Sequence, residues 1–321
     1  MKIEEKIKFL KAKISQQLQH LIGKKCILID LPYYDNLGDV LIWQGELDFL
    51  KSIDTSVLQS SSSGTFLYPK LTDDTSILLH GGGNFGDLYR NFQDFRLSVI
   101  KAYPKNRIIM FPQSVWYNDK SLIRKDAEII SQHSDLYLCA RDKWSYDFLI
   151  SNFPKCKILL VPDMAFYVND NFLAHYRNYN TGKSLHFKRI DKESVFFNNA
   201  NDENKSDYGD WPKYGDRTIG FNLMSYGSVL INKTKSLIFI PNVIATFIDA
   251  YANKYWRNSR LKLAASYIAQ YDTITTDRLH AMILSLLLHK SVEFKDNYTG
   301  KLKAYYETWL SDLDCIKPAN N

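Results

Sequence analysis

Asp272-Thr-Ile-Thr-Thr-Asp-Arg-Leu-His-Ala-Met-Ile-Leu-Ser-Leu-Leu-Leu-His-Lys290 reads as a strand, a turn and a helix in immediate succession. Tyr271 to Thr276 has the β-branched content of a short strand. Asp277 is placed to cap the helix that follows, because its carboxylate can accept from the free amides of a first turn. Leu279, Met282, Ile283, Leu286 and Leu287 recur at helical spacing and predict a buried face. Arg278 and His280 then lie in the first turn, where free N–H groups and the helix dipole favour an anion. A fixed cation beside a titratable imidazole suits an acidic ligand that needs proton transfer. The plain alternative is that Arg278 pairs with Asp277 and His280 only caps the helix.

A second cluster points the same way. Ile77-Leu-Leu-His-Gly-Gly-Gly-Asn-Phe-Gly-Asp87 is an apolar strand running into a glycine-rich loop. Glycine lets the backbone take positive φ and approach a ligand closely, and successive amides can form an anion-binding nest. The spacing matches neither a P-loop nor a dinucleotide fingerprint. Gly81, Gly82, Gly83, Asn84 and Asp87 are therefore candidate ligand contacts at the carboxyl end of a strand.

At 321 residues the chain predicts two domains, 1–168 and 169–321. Hydrophobic residues make up 45%, and the mean hydropathy of -0.30 fits a soluble, cytoplasmic protein. No run approaches the ~18 apolar residues of a membrane span, and the charged N-terminus lacks the apolar core of a secretory signal. Four scattered cysteines (Cys26, Cys139, Cys156, Cys315) read as small buried residues, not as disulfides or a metal site. The net charge of +6 fits an anionic partner. No helix-turn-helix or basic-aromatic sheet motif is present, so nucleic acid is not the expected partner.

In chain order, residues 1–24 predict an amphipathic helix with Ile3, Ile7, Leu10, Ile14, Leu18 and Leu21 on one face and lysines around it. Such a helix packs on its own domain or lies on an anionic membrane, and Glu4 and Glu5 favour packing. Strand Cys26–Leu31 opens into Asn36-Leu-Gly-Asp39 and a helix from Val40 to Ser52. Asn36 and Gly38 serve a turn, and Asp39 a cap, without leaving a ligand's reach. Leu58 to Gly64 reads as a flexible loop. A strand over Arg107–Phe111 ends at Gln113 and Ser114, one over Leu136–Ala140 at Arg141, and one over Ile158–Val161 at Asp163. Strand, polar end and helix repeat here as in one Rossmann-like half. Val168 to Gly182 reads as a linker and Asn198 to Asp216 as a polar surface loop or lid. A second α/β half follows, opening with a strand over Thr218–Leu223.

Taken together, Asn36-Leu-Gly-Asp39, Gly81 to Tyr89, Pro112-Gln-Ser114, Arg141 with Tyr146, Pro162-Asp-Met-Ala165, Arg278-Leu-His280 and Asn297-Tyr-Thr-Gly-Lys301 occur in one order over nearly the whole chain. In that order the chain resembles the polysaccharide pyruvyl transferases, in particular the short bacterial exopolysaccharide-operon type. The resemblance implies an α/β fold of two Rossmann-like domains facing a cleft, similar to the GT-B glycosyltransferases. It implies transfer of pyruvate from phosphoenolpyruvate onto two hydroxyls of a sugar, closing a cyclic ketal and releasing phosphate. Arg278, His280 and Arg141 match the family's motif residues, with donor binding and catalysis as their implied roles. Lys301 closes the last matching motif. The acceptor implied is an exopolysaccharide or its lipid-linked precursor, with a peripheral contact through residues 1–24 at the inner membrane face. No cofactor or metal is expected. The match is poor between Asn169 and Asp216, where acceptor choice is expected to lie. Two other readings fit composition equally well: a GT-B glycosyltransferase using a nucleotide sugar, and a non-catalytic binding subunit of polysaccharide assembly.

Overall fold

The apolar runs Cys26–Ile29 and Ile77–Leu79 are buried on both faces, as strands are inside a parallel sheet covered by helices. The computed structural model describes residues 1–177, 181–189, 206–212, 219–234, 237, 239–296 and 298–319. A leading helix α1 (Ile3–Leu18) precedes β1 (Lys25–Ile29), α2 (Leu37–Ser52), β2 (Ser56–Ser61), β3 (Thr75–Leu79) and β4 (Gly82–Gly86). Then come α3 (Arg90–Ala102), β5 (Ile108–Trp116), α4 (Lys120–Ile130), β6 (Leu136–Ala140), α5 (Lys143–Asn152) and β7 (Lys157–Leu160). A 3-10 turn (Met164–Tyr167) leads to α6 (Asp170–Arg177), β8 (Ser184–Phe187), β9 (Ser206–Gly209) and α7 (Ile219–Lys233). Helix α8 (Phe239–Tyr251) continues through a π turn (Ala252–Trp256) into α9 (Arg257–Ala269). The chain closes with β10 (Thr273–Thr276), α10 (Leu279–Leu287), β11 (Ser291–Phe294), α11 (Lys301–Trp309) and β12 (Ile316–Pro318).

The strands form two parallel, Rossmann-like sheets. The first has the order β2-β1-β3-β5-β6-β7, with β4 paired to β5. The second has the order β12-β11-β10-β8-β9. Each sheet reverses direction once, between β1 and β3 in the first and between β8 and β10 in the second. Crevices form beyond the carboxyl ends of strands at such reversals. The segments there carry Asn36 and Gly81–Gly83 on one side, Gly82 and Gly83 opening strand β4 where a glycine-rich loop was expected, and Arg189 and Arg278 on the other. Fold topology alone therefore gathers the polar loops of both sheets.

Several expectations are corrected. The Ser-rich stretch before Gly64 is mostly strand: β2 pairs along β1 at the sheet edge, where polar side chains are tolerated. Gln113 and Ser114 lie inside β5, not beyond it; the register shifts between Met110 and Gln113, past Pro112, and pairing resumes. Asp170–Arg177 is helical where a linker was expected. Residues 219–223 open α7 instead of forming a strand, and Thr218 lies outside the described residues. Asn36, not Asp39, caps α2, its side chain accepting from the Gly38 amide at 3.1 Å. Of the proposed 198–216 lid, only residues 206–212 are described, and 206–209 form β9.

Helix α1 buries Ile7, Leu10, Ile14 and Leu18 against the protein. Lys6 Nζ reaches Asp312 at 2.6 Å and Lys11 Nζ donates to the Val168 carbonyl at 3.0 Å, tying the helix to the C-terminal region and to the 3-10 turn in mid-chain. The apolar face that a membrane would take is thus occupied by the fold. Leu10→Ala should cost about 2–5 kcal/mol, read as a lower urea midpoint with an unchanged slope; a free helix face would give no change.

Candidate functional site

A cavity of about 480 Å³ opens between the two sheets. Asn36, Asp39, Gly83, Asn84, Arg141, Arg278, His280 and Lys301, all singled out in the sequence, line it. Tyr34, Tyr89, Phe92, Arg189 and Trp211 complete the wall. Cations enter from four separate segments, so the cavity is strongly biased toward an anion.

The floor is an ionic knot that crosses from one sheet to the other. Arg141, just past β6, is 2% exposed. Its Nη1 donates to Asp163 Oδ2 at 2.8 Å and its Nε to Ser114 Oγ at 2.8 Å. Ser114 Oγ in turn donates to Asp142 Oδ2 at 2.7 Å. His280, in the first turn of α10, brings Nε2 to 3.3 Å from both Arg141 Nη1 and Asp163 Oδ2. One neighbour is a donor and the other an acceptor, so either protonation state of Nε2 has a partner. Burial would raise the Asp163 carboxyl, but the charge and hydrogen bond of His280, with Arg141 and the Ala165 amide, outweigh it. Asp163 is held well below the usual carboxylate range.

Glycines set the distances in this knot. A Cβ on Gly38 would stand 2.8 Å from His280 Cβ and Nδ1. One on Gly83 would meet Arg141 Nη2 at 2.9 Å and Lys301 Nζ at 3.3 Å. Lys301 Nζ donates to the Gly83 carbonyl at 3.0 Å, joining α11 to the glycine loop. Gly82 and Gly86 sit at φ of 136° and 118°, where side chains are rarely accommodated.

Arg278 is placed differently from expectation. Its guanidinium pairs with Asp210 in two-point fashion, Nε to Oδ1 at 2.5 Å and Nη2 to Oδ2 at 2.6 Å. Asp277 neither caps α10 nor pairs with Arg278 by hydrogen bond; its Oδ1 accepts from the Arg189 amide at 2.9 Å. Arg278 itself occupies the cap position, its amide donating to Thr276 Oγ1.

Other predicted residues are bonded in or behind the wall. Asp39 accepts from Tyr34 Oη at 2.8 Å and Asn36 Nδ2 at 2.9 Å. The Gly81 amide donates to Glu46 Oε1 at 2.8 Å, and Gln113 Nε2 to the His80 carbonyl at 2.7 Å. Asp87 is turned away: it accepts from the Asn118 and Asp119 amides and fastens a surface turn. Asn297 lies outside the described residues.

Sequence reading missed the polar layer beneath the glycine loop. Glu46 Oε2 meets His80 Nδ1 at 2.8 Å, both fully buried. Arg96 Nε donates to Asp30 Oδ2 at 2.8 Å and its Nη2 to Asn84 Oδ1 at 2.6 Å. Burial pushes the Asp30 carboxyl up to about 6 against the pull of Arg96. Burial lowers His80, but the facing Glu46 outweighs it and leaves His80 raised. His80 beside the glycines was a visible signal; Glu46 and Arg96 look like ordinary charges on helices.

Comparison with known proteins identifies the family. A family model described as polysaccharide pyruvyl transferase matches residues 36–292. EpsO of Bacillus subtilis, provisionally named a pyruvyl transferase, is 32% identical over 95% of this chain and 91% of its own. Pyruvyl transferase 1 of Schizosaccharomyces pombe is 29% identical over 89% of this chain and 70% of its own. The crystal structure of an uncharacterised Klebsiella pneumoniae protein superposes with a TM-score of 0.61 at 18% identity, covering 97% of this chain and 99% of that one. That likeness concerns the fold alone.

Two outcomes follow from the knot. Gly38→Ala should displace His280 and cost about 1–3 kcal/mol by overpacking; imidazole NMR resonances of His280 should move while those of the distant His133 stay. Asp163 is ionised in the folded chain at a pH where an ordinary carboxyl, near 3.9, takes up a proton. Its stabilisation is present in full above about pH 5 and is lost as pH falls through the acid range. Asp163→Asn should therefore flatten the decline of unfolding free energy between about pH 5 and pH 3 by up to one proton, measured by urea titration.

Proposed function

We infer the reaction from one premise: the chain belongs to the polysaccharide pyruvyl transferase family. It is a transferase, and its family moves pyruvyl groups onto polysaccharide. The donor we propose is phosphoenolpyruvate, and the product a cyclic ketal bridging two hydroxyls of one sugar in an exopolysaccharide or its lipid-linked precursor. The observation that carries this reading is the convergence of Arg141, Arg278, Lys301 and His280 on one cavity. A small donor with a phosphate and a carboxylate needs two cationic holds and one proton donor. Arginine holds either group with parallel hydrogen bonds.

In this reading His280 protonates the methylene carbon of the donor, which leaves the adjacent carbon electrophilic. A sugar hydroxyl adds there and gives up its proton to a base. Phosphate then leaves with the C–O bonding pair, and the second hydroxyl closes the ring with loss of its own proton. His280 can cycle through these steps because Asp163 stabilises its charged form and Arg141 its neutral form. Asp163 is a positioning residue, since it touches His280 and Arg141 from below. Arg278 takes the donor by exchanging Asp210 for the incoming anion.

The acceptor fits an adjoining groove of about 860 Å³. Trp116, Trp144 and Tyr298 give it aromatic surface, Glu307 gives it an acceptor for hydroxyls, and Lys301 borders both spaces. Aromatic rings with carboxylates suit a sugar better than a second anion.

Thermal shifts with phosphoenolpyruvate, inorganic phosphate and a panel of nucleotide sugars test the donor. A ligand at about 100 times its dissociation constant adds roughly 2.7 kcal/mol. Phosphoenolpyruvate should stabilise beyond phosphate, and Arg278→Ala should abolish the difference. A response to a nucleotide sugar instead would mark a glycosyltransferase, and silence from all would mark a binding subunit or a donor site completed only by the acceptor. His280→Ala should keep donor binding and lower turnover by about 10²–10⁴-fold; near-normal turnover would remove His280 from the chemistry.

A further inference from the structure

We propose that the α7–α8 hairpin is a docking surface for an anionic lipid bilayer. The two helices pack against each other where Gly227 meets Ile248 and Gly220 meets Tyr251. Met224, Ile231, Ala245 and Ile248 turn inward and join the core. The outward side is apolar as well. On α7, Leu223, Tyr226 and Leu230 recur three and four residues apart and are exposed. On α8, Ile240, Val243 and Phe247 do the same, with Phe247 62% exposed and Phe239 beside them 78% exposed. Ser225, Asn242 and Thr246 are exposed beside them, but the apolar stripe lies outside the core, and an exposed apolar patch of this kind marks a contact surface.

Charge selects the occupant. From Ile219 to Ile248 the sequence contains no Asp or Glu, and its only charged residues are Lys233 and Lys235. Lys233 at the end of α7 and Lys254 beyond α8 are exposed. An apolar stripe bearing only positive charge complements an anionic headgroup layer. The helices are too short to span a bilayer, and among the described residues no helix is long and apolar enough to do so. The hairpin therefore lies on the surface.

It is also held firmly to the first sheet. Asp249 accepts from Ser61 Oγ and Thr65 Oγ1 at 2.6 Å and from Tyr33 Oη at 3.0 Å. Asn253 Nδ2 donates to the Ser60 carbonyl at 3.2 Å. Tyr33 precedes Tyr34 of the cavity wall, so a bilayer under the hairpin stands in fixed relation to the cleft. The proposal does not depend on the nature of the donor.

Cosedimentation of the full chain with vesicles of phosphatidylcholine, alone or mixed with phosphatidylglycerol, tests it. The wild type should partition onto the mixed vesicles and be released by high salt. Tyr226→Ser with Phe247→Ser should lower that partition at least about tenfold. Lys233→Glu, which alters no core contact, should lower it at least about fivefold. No partition by the wild type, equal partition onto both vesicles, or equal partition by the variants would overturn the proposal. So would sedimentation velocity showing a dimer that Phe247→Ser splits, because the face would then be covered by a second copy.

Discussion

The Asp163 carboxylate is the point on which the two halves of the molecule agree. It is fully buried, and a lone carboxylate there would be intolerably desolvated. Arg141 from the first sheet and His280 from the second satisfy it together. Removing one partner from such a knot leaves an uncompensated charge and typically costs about 3–5 kcal/mol. The same bonds therefore fix the imidazole, orient the guanidinium and hold α10 against the first sheet. The packing of both sheets at the floor of the cleft thus depends on one carboxylate.

Around that point, close approach is bought with glycine. Gly38 admits the His280 ring to the start of α2, and Gly83 admits Arg141 and Lys301 to the loop after β3. Neither glycine is at positive φ, so backbone freedom is not what these two positions need. Space is. Below them, Glu46 and His80 fasten the Gly81 amide, and Arg96 fastens Asn84. The loop is thus pinned from beneath by a second buried ionic layer, which leaves its upper edge toward the cavity.

The legible part of the sequence was the part governed by local rules. Strand–loop–helix alternation gave the Rossmann-like class, and the polar strand ends Asn36, Gly83, Arg141 and Arg278 do converge on one cavity. Failures came where tertiary pairing overrode local preference. The serines of β2 are a strand because β1 offers them an edge. Residues 219–223 are helical although their apolar run also suits a strand. Glu46, Arg96 and Arg189 escaped notice because a charge on a helix or loop carries no sign of which way it faces. Helices α1 and α8 teach the same lesson: each has an apolar face with lysines nearby, yet the face of α1 is packed on the fold while Val243 and Phe247 of α8 stay exposed. Periodicity shows that a face exists, and only packing shows what covers it.

Arg278 and Asp210 add a constraint of their own. Arg278 is mostly buried, with its side chain 13% exposed and that of Asp210 11%. A guanidinium at that depth requires a counter-charge, and Asp210 supplies one with near-ideal two-point geometry. An anionic ligand that takes the same two-point hold on Arg278 competes with that carboxylate, which sits one residue past β9. A single carboxylate against a phosphate of higher charge is an uneven exchange, favouring the ligand most where water is excluded. The Arg278–Asp210 pair thus ties the start of α10 to residues 206–212. The segment that matches the family motifs least is thus bonded directly to one of the motif residues, Arg278.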